Sequence, residues 1–446
     1  MTTGRTGRLN WLQQNWLRGD PDDAETAHEN NVRGYLPTAD CELPALLTAL
    51  TTVVARHESL RTTVEFDVAG NGRQAVAEPP RSPAGIEHLV ELAAEGAGDE
   101  MAANRWSRAF DLRSEWPVGF VVTQSAGRAA GVHLVVDHSA VDGWGLKVLI
   151  DDLRSALTAE ASLPAPVTQP LDTVDWEDSA EGVKRSGLAV GYWRRQLRGF
   201  ADLQTGSAAG LGDLAPPGGG SGVHRLESVR LQHAAELAAA RFSVSGETVF
   251  LCAYGWALAS FHEKSRAGLM GLHFNRLTPA ELRSAALRFT QSPLAIGLPG
   301  TDPIDGLVKR VHRERLESIF VGHAHPEALD VVVAETLPHA LAPDAFGAYF
   351  NYLRPDFTAS SPAPGDRPVM AGTEDEVIVE DLVLARGAEL MLAVEFDGSV
   401  TNVRLTSARQ SAVHQHGSDF LRLLAAYVYW LAAGTSLSEF PRPAWR

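Results

Sequence analysis

The stretch "VHLVVDHSAVDGWGLKVLIDDL", residues 132–153, decides the fold because its hydrophobic period changes within a few residues. Its first part is apolar and rich in β-branched residues, as expected of a buried strand. Its last part has the spacing of one helix face, carried by Leu146, Leu149, Ile150 and Leu153. Between them lies a short polar segment with an Asp-Gly pair. The stretch therefore predicts a strand, a tight turn and an amphipathic helix in direct succession.

The composition limits the class of protein. A chain of 446 residues is too long for one ordinary core, so two domains are expected. With 39 Lys and Arg against 55 Asp and Glu, the formal charge is −16, which argues against nucleic acid or an anionic membrane as partner. Two cysteines without CxxC spacing, and no apolar signal segment, predict a cytoplasmic protein without a membrane anchor.

Helical and strand patterns alternate along the whole chain. The clearest predicted elements are a helix, an antiparallel pair of strands and a closing helix, at residues 43–57, 118–138 and 406–434. A stretch rich in proline and acidic residues, 162–182, is the best candidate for a connection between lobes. We therefore predict an N-terminal lobe at 1–178, which carries the opening stretch, and a C-terminal lobe at 179–446.

His138 is the candidate catalytic residue of the predicted turn. An imidazole titrates near neutral pH, and a rigid turn would hold it ready to take a proton from an amine or a hydroxyl. Asp142 precedes a glycine and a helix, where a carboxylate can cap the helix or pair with an arginine, and Gly143 permits tight backbone geometry. Asp137 would lie on the opposite face of the strand from His138. By itself, however, a histidine at a strand end is more often structural.

Other candidate sites are weaker. His57 is predicted to be structural at a helix-to-strand corner, whereas Arg61 either packs against the motif turn or lies at the surface. The histidine pairs in 323–325 and 414–416 have no credible further ligand nearby, so no metal site and no bound cofactor are predicted. The patterns GxSxG, GxGxxG, HExxH and the P-loop are absent, which argues against a serine hydrolase, a nucleotide site or a zinc hydrolase.

Several segments carry a family resemblance. "DHSAVDG" (137–143) is similar to the motif HHxxxDG with aspartate in place of the first histidine, and "ARHESLRTTVEF" (55–66) is similar to RHExLRTxF. Looser matches are "GRLNWLQQNW" (7–16), "LDTVDWEDS" (171–179) and "GYWRRQLRGF" (191–200). In these motifs and their order the chain resembles the condensation domains of nonribosomal peptide synthetases, within the superfamily of chloramphenicol-acetyltransferase-like acyltransferases.

The resemblance implies an α/β fold, an α+β sandwich of two chloramphenicol-acetyltransferase-like lobes in a V-shaped pseudo-dimer with a tunnel between them. It implies that His138 is the catalytic histidine in that tunnel and that Gly143 lies against the acyl thioester. Asp142 would hold the motif turn through an ion pair with Arg276, in the segment "GLHFNRL". Asp137, at the position of the first histidine, would alter the local packing or the identity of the acceptor rather than the fold.

The implied activity is that of a free-standing, monomeric acyltransferase of the condensation type in natural-product biosynthesis, including that of antibiotics. The donor would be an acyl or aminoacyl thioester on the phosphopantetheine arm of an acyl or peptidyl carrier protein in trans. An amine or alcohol acceptor would then form an amide or an ester. An acidic carrier would need a basic patch, for which the arginines of 191–200 are one candidate. Two alternatives stay open: an acyl-CoA-dependent small-molecule acyltransferase, and a non-catalytic protein that docks carriers.

Overall fold

The structure is a computed structural model. It describes residues 3–17, 31–68, 70–158, 163, 167–204, 221–300, 303–337, 347–353, 376–380, 390–397, 400–409, 411–434 and 436–443. These residues form a mixed α/β protein that packs into two compact units. The first unit contains the described residues up to Lys184 together with Phe274–Phe289, and the second contains Arg185–His273 and the described residues from Thr290 onward. The lobe boundary after residue 178, the V-shaped pairing and the tunnel stay predictions.

Strands and helices alternate along the chain. The strands are β1 (Thr3–Arg8), β2 (Asn31–Cys41), β3 (Thr62–Phe66), β4 (Gly72–Ala77), β5 (Val90–Ala93), β6 (Val118–Ser125), β7 (Arg128–Asp137), β8 (Ser221–Ser228), β9 (Arg266–His273), β10 (Thr290–Gly297), β11 (Ala348–Tyr352), β12 (Glu376–Glu380), β13 (Leu390–Asp397) and β14 (Val400–Ala408). The helices are α1 (Trp11–Trp16), α2 (Leu43–Arg56), α3 (Gly98–Trp106), α4 (Gly143–Leu157), α5 (Pro170–Glu177), α6 (Ala180–Gln204), α7 (Val229–Phe242), α8 (Gly246–Phe261), α9 (Pro279–Leu282), α10 (Ile304–Phe320), α11 (Pro326–Thr336), α12 (Ala412–Gln415) and α13 (Gly417–Ala433).

The strands of the first unit form two sheets in the part of the chain that is described. In one sheet β4 lies between β1 and β3 and is antiparallel to both. In the other, the order is β2-β7-β6-β5, with β7 antiparallel to both neighbours and β5 parallel to β6. The antiparallel pair β6–β7 and the helix α2 confirm the corresponding sequence predictions.

The core of the first unit forms where α2 and α4 cover the sheet that contains β7. Both helices turn an apolar stripe inward, which in α4 consists of Leu146, Leu149, Ile150 and Leu153. Proline in the first turn of α2 suits the helix start, because the N–H that proline lacks would have no intrahelical partner there. Each buried leucine contributes about 1.5–3 kcal/mol relative to an exposed one, so this stripe fixes the direction in which α4 leaves the turn.

The second unit contains a sheet with the order β10-β9-β11-β13-β14-β8-β12 in its described residues. Its core surrounds α8, in which every residue from Thr248 to Ser260 is buried. A helix that is apolar on all sides is stable only inside a protein. This explains why "VFLCAYGWALAS" carries no amphipathic pattern.

The prediction of a closing helix at 406–434 is wrong at its beginning. Residues up to Ala408 belong to β14, which pairs with β13 on one side and β8 on the other. Alternate residues of β14, Val403 and Leu405, are fully buried, so pairing and burial in the sheet decide the conformation of this segment. The helical part then consists of α12 and α13.

Two further features bear on the sequence predictions. The predicted connection at 162–182 contains the helix α5, whereas residues 162 and 164–166 of it lie outside the described residues. Among the helices that are described, none combines the length and the apolar character needed to cross a lipid bilayer.

Candidate functional site

The motif turn connects the end of β7 to the beginning of α4. The backbone N–H of Asp137 donates to the carbonyl of Pro117, and the carbonyl of Asp137 accepts from the N–H of Ala140 at 3.0 Å. The first bond still links Asp137 to the chain just before β6, whereas the second closes a turn, so the chain leaves the sheet after Asp137. Residues 138–142 therefore form a compact connection of the kind that the sequence predicts.

Asp142 is the N-cap of α4, and its carboxylate is completely buried. One oxygen, Oδ1, accepts from the N–H of Gly145 at 2.8 Å and from Nη2 of Arg276 at 2.9 Å. The other, Oδ2, accepts from Nη1 of Arg276 at 2.8 Å and from the backbone N–H of Arg288 at 2.9 Å. The ion pair between Asp142 and Arg276 that the family resemblance implies is thus present, and it is bidentate.

These bonds determine the ionisation of Asp142. Burial alone would raise the pKa of this carboxyl group, but the charge and hydrogen bonds of Arg276 and the N–H groups of Gly145 and Arg288 outweigh it. The pKa of Asp142 is therefore lowered, and the group is a carboxylate at neutral pH. A buried carboxylate with four donors is a rigid support for the turn.

Arg276 is itself held by the segment that follows β9. Its guanidinium also donates to the carbonyls of Phe274, Ser284 and Ala286, at 3.0, 3.2 and 3.0 Å. The preceding residue, Asn275, has a left-handed backbone conformation with φ of 46°, which asparagine tolerates better than most residues. This local turn directs the arginine toward Asp142.

Arg288 was not singled out in the sequence. Its side chain is buried and donates to the Asn275 carbonyl, to Thr173 Oγ1 and to Glu281. Burial lowers the pKa of Arg288 to about 10, although Glu281 opposes this effect. Arg288 therefore stays charged near neutral pH, and the segment Phe274–Phe289 supplies both a side chain and a backbone N–H to Asp142.

His138 lies in the same turn but in a different environment. Its ring is half-buried, and Nδ1 is buried without a hydrogen-bond partner among the described residues. The indole of Trp16 stacks on it, with ring centroids 4.4 Å apart and an angle of 29° between the planes. Phe289 approaches the same imidazole at 6.2 Å. The structure thus brings His138 together with two aromatic residues that sequence reasoning did not select.

Asp137 does not bond to the neighbouring imidazole. Its side chain accepts from the backbone N–H of Ser139 at 2.8 Å and from the Ser139 hydroxyl at 2.5 Å. Burial raises the pKa of Asp137, and the bonds from Ser139 and the charge of His138 only partly oppose this. Asp137 therefore closes the turn locally, which agrees with the expectation that it does not orient His138 directly.

The two glycines at the start of α4 differ in their surroundings. Gly143 is exposed, and a Cβ atom there would meet nothing within 4 Å. At Gly145 a Cβ atom would lie 3.2 Å from the backbone nitrogen and oxygen of Ala286. A side chain at Gly145 would therefore crowd the backbone of Ala286, whereas Gly143 has room for one. The predicted role of Gly143 toward a thioester stays a prediction.

The segment "RHESLR" (56–61) contacts α4 and the segment that contains Arg276. His57 is buried, and its Nε2 lies 2.8 Å from Oδ2 of Asp152 on α4, while the Ser59 hydroxyl donates to the carbonyl of Ala285. Arg61 is also buried, so the alternative of a surface arginine is wrong. The guanidinium of Arg61 donates to the carbonyls of Ala77 and Ala55, and its described hydrogen bonds do not reach the motif turn.

The histidine pairs of the second unit have separate surroundings. His323 is buried, and the ring of His414 lies edge-on to His224, with centroids 4.9 Å apart. Within the described ranges no group of three or more His, Cys, Asp or Glu residues is arranged to hold a metal ion.

Comparisons with known proteins identify the family of the chain. The family model for the condensation domain matches residues 26–314, which is more than half of the chain. The chain is 32% identical over 163 residues to the phosphinothricin tripeptide synthetase PhsC of Streptomyces viridochromogenes, covering 35% of this chain and 15% of that protein. It is 30% identical over 182 residues to the isonitrile lipopeptide synthase of Mycobacterium tuberculosis, covering 38% of this chain and 7% of that protein.

Solved structures resemble the whole chain. The first condensation domain of the CDA synthetase has a TM-score of 0.69 at 16% identity, covering 98% of each chain. A structure from work on condensation-domain-mediated chain release from the enacyloxin polyketide synthase has a TM-score of 0.72 at 18% identity, covering 99% of this chain and 85% of that one. The SgcC5 protein of Streptomyces globisporus has a TM-score of 0.66 at 18% identity, covering 95% of this chain and 99% of that one. At these identities the likeness concerns the fold.

The fold and the matched residues together place the chain in the class of condensation domains. The family match is decisive for the chain itself: it belongs to the condensation domain family and is homologous to the condensation domains of nonribosomal peptide synthetases. It spans only a small part of the length of the curated relatives that it matches.

Proposed function

We propose that this condensation domain transfers an acyl or aminoacyl group from the phosphopantetheine thioester of a carrier protein to an amine or a hydroxyl group. The observation that carries the proposal is the motif turn, in which Asp142 is fixed by four hydrogen bonds while His138 remains half-exposed. A turn that is rigid at one end and accessible at the other suits general-base catalysis.

In the proposed reaction His138 takes the proton of the attacking nitrogen or oxygen. The nucleophile bonds to the thioester carbonyl carbon, and a tetrahedral intermediate forms with negative charge on the oxygen. When this intermediate collapses, the carbon–sulfur bond breaks and the imidazolium returns the proton to the sulfur. The products are an amide or an ester and the free thiol of the phosphopantetheine arm, so that no covalent intermediate with the protein is required.

Asp142, Arg276 and Gly143 have supporting roles in this proposal. Asp142 and Arg276 hold the beginning of α4, and Gly143 offers an open surface without a side chain beside the motif turn. Holding the reacting groups in place is expected to supply much of the rate enhancement, with base catalysis adding to it. Hydroxyl acceptors are included beside amines because SgcC5 was crystallised with a naphthyl ethanediol.

The carrier would need a surface of suitable charge. The arginines of α6 are a weak candidate, because Arg194 pairs with Glu335 at 2.9 Å and Arg195 with Glu317 at 2.7 Å. These exposed ion pairs leave little net positive charge at those two positions. We therefore do not assign the carrier site to this pair of arginines.

The proposed function is tested by supplying an acyl group on pantetheine, on a carrier protein and on CoA, with a panel of amines and alcohols. Product is measured by mass spectrometry for the wild type and for His138→Ala. The matched control is His133→Ala, which changes a half-buried histidine on β7, the strand that precedes the motif turn. Transfer that is lost in His138→Ala and kept in His133→Ala supports the proposal, whereas equal product from His138→Ala contradicts it.

The choice of donor separates the alternatives in the same assay. Turnover with acyl-CoA and not with the carrier would replace the proposal by a CoA-dependent acyltransferase. Carrier binding without turnover for any donor would replace it by a docking protein.

A further inference from the structure

The imidazole of His138 belongs to a cluster of three aromatic rings. Trp16 stacks on it at 4.4 Å, and Phe289 lies 6.2 Å from it at an angle of 58°. Trp16 and Phe289 also contact each other edge to face, at 6.2 Å and 87°. Each ring therefore touches the other two, and the cluster covers one face of the imidazole with an indole.

Among the described residues, no hydrogen bond to Nδ1 orients the His138 imidazole. Such a ring is normally oriented by a hydrogen bond from one nitrogen to a carboxylate or a carbonyl oxygen. Nδ1 of His138 is buried and has no partner in the described part of the chain. The two nearby carboxylates are engaged elsewhere, since Asp137 accepts from Ser139 and Asp142 accepts from Arg276. Ring packing is what remains to set the orientation.

Trp16 is itself placed by the start of its helix. The Asn10 side chain accepts from the N–H groups of Leu12 and Gln13, and the Gln13 side chain accepts from the Asn10 N–H. This reciprocal capping satisfies backbone donors at the N-terminus of α1. The N–H of Trp11 donates to the buried carboxylate of Glu177 at 2.8 Å. The short helix α1 is thus tied to α5, and Trp16 at its end is held against His138.

We propose that Trp16 is a positioning residue that holds the His138 imidazole, through the stack and with Phe289, in the orientation in which it accepts the proton of the nucleophile. The proposal rests on the proposed function. Stacking sets the rotation of the ring in place of a hydrogen bond, and offset stacks are favourable for aromatic pairs. An indole face also attracts a cation more strongly than other aromatic faces, so Trp16 stabilises the imidazolium formed during transfer.

The test compares Trp16→Leu with Trp16→Phe. The control is Trp106→Leu, because Trp106 is a half-buried tryptophan of the same unit that lies under Arg33 rather than against His138. Trp16→Leu is expected to lower kcat about tenfold, the rate equivalent of one aromatic contact, with KM for the donor nearly unchanged. Trp16→Phe is expected to restore most of the rate, and Trp106→Leu to leave kcat unchanged.

A second readout does not depend on turnover. The ring protons of His138 are assigned in the NMR spectrum by their loss in His138→Asn. The indole shields them in the wild type, so their signals move downfield in Trp16→Leu and stay in place in Trp106→Leu. Signals that do not move in Trp16→Leu, or a kcat equal to that of the wild type, overturn the positioning role.

The two readouts separate this inference from the proposed function. If the wild type forms product and Trp16→Leu forms it equally fast, only the positioning role fails. If the wild type forms no product with any donor, the proposed function fails, and the positioning role in proton transfer fails with it, whatever the NMR signals show.

Discussion

The two ends of the motif turn differ in how they are held. Asp142 is completely buried and accepts four hydrogen bonds, two of them from the guanidinium of Arg276. His138 is half-buried, its Nδ1 has no partner among the described residues, and its neighbours are aromatic rings. The first end is built as a support and the second as an accessible group. Substitution of Asp142 should therefore lower the stability of the fold, whereas substitution of His138 should lower the activity.

The largest effect on stability is expected at the buried ion pair. Asp142→Ala leaves the Arg276 guanidinium buried without its counter-charge, so we expect the free energy of unfolding to fall by about 3–5 kcal/mol. Asp151→Ala on the same helix is the control, since Asp151 pairs with Lys147 and Arg154 at a partly exposed site and should cost about 1 kcal/mol or less. Denaturant unfolding measures both, and equal losses in the two variants would contradict the buried-support interpretation.

The next largest effect separates the two glycines. At Gly145 an added methyl group meets the backbone of Ala286, so Gly145→Ala should destabilise the fold by about 1–3 kcal/mol. At Gly143 the space is open, so Gly143→Ala should change the free energy of unfolding by about 0.5 kcal/mol or less. If the thioester lies against Gly143, this variant should lose acyl transfer while it stays stable. Destabilisation by Gly143→Ala comparable to that by Gly145→Ala would refute the distinction.

The smallest effect is expected at Asp137, and it depends on pH. The raised pKa of Asp137 means that its contribution to stability is full below the ordinary aspartate pKa of 3.8 and is lost as the pH rises through the folded-state value. Asp137→Asn keeps an oxygen for Ser139 and should change the stability at neutral pH by about 1 kcal/mol or less, while it removes this loss.

The contribution of Asp142 to stability depends on pH in the opposite direction, so Asp142 serves as the comparison for Asp137. Its lowered pKa means that its contribution is present above the ordinary aspartate value and is lost as the pH falls through the folded-state value. Unfolding curves measured from acid to neutral pH distinguish the two signs. A stability difference between wild type and Asp137→Asn that grows toward acid, with the variant more stable there, would show that the sign assigned to Asp137 is wrong.

The sequence predicts the elements around the motif turn well because their hydrophobic periods are clear. The apolar, β-branched run of β7 and the helical stripe of α4 lie on either side of a short turn, and both are present in the structure. The predicted beginning of the closing helix was wrong because residues up to Ala408 form β14, which is stabilised by pairing with β13 and β8. Local sequence carries little information about such pairing.

The site is predicted only in part. Arg276 was found through a family resemblance, since no spacing in the sequence connects it to Asp142. Trp16, Arg288 and Phe289 were missed because their contacts join residues far apart in the chain, and a tryptophan at a helix end or an arginine before a strand has no local signature of its role. The segment "GRLNWLQQNW" was noticed for its family pattern, but that pattern does not say which ring Trp16 meets.

The central claim is that, within one turn, Asp142 stabilises the structure and His138 carries out the proton transfer. It is tested most directly by measuring acyl transfer and the free energy of unfolding together for wild type, His138→Ala and Asp142→Ala. We expect His138→Ala to lose about 10²–10⁴-fold in turnover with nearly unchanged stability, and Asp142→Ala to lose both. A His138→Ala variant that keeps its turnover, or an Asp142→Ala variant that keeps its stability, would contradict the claim.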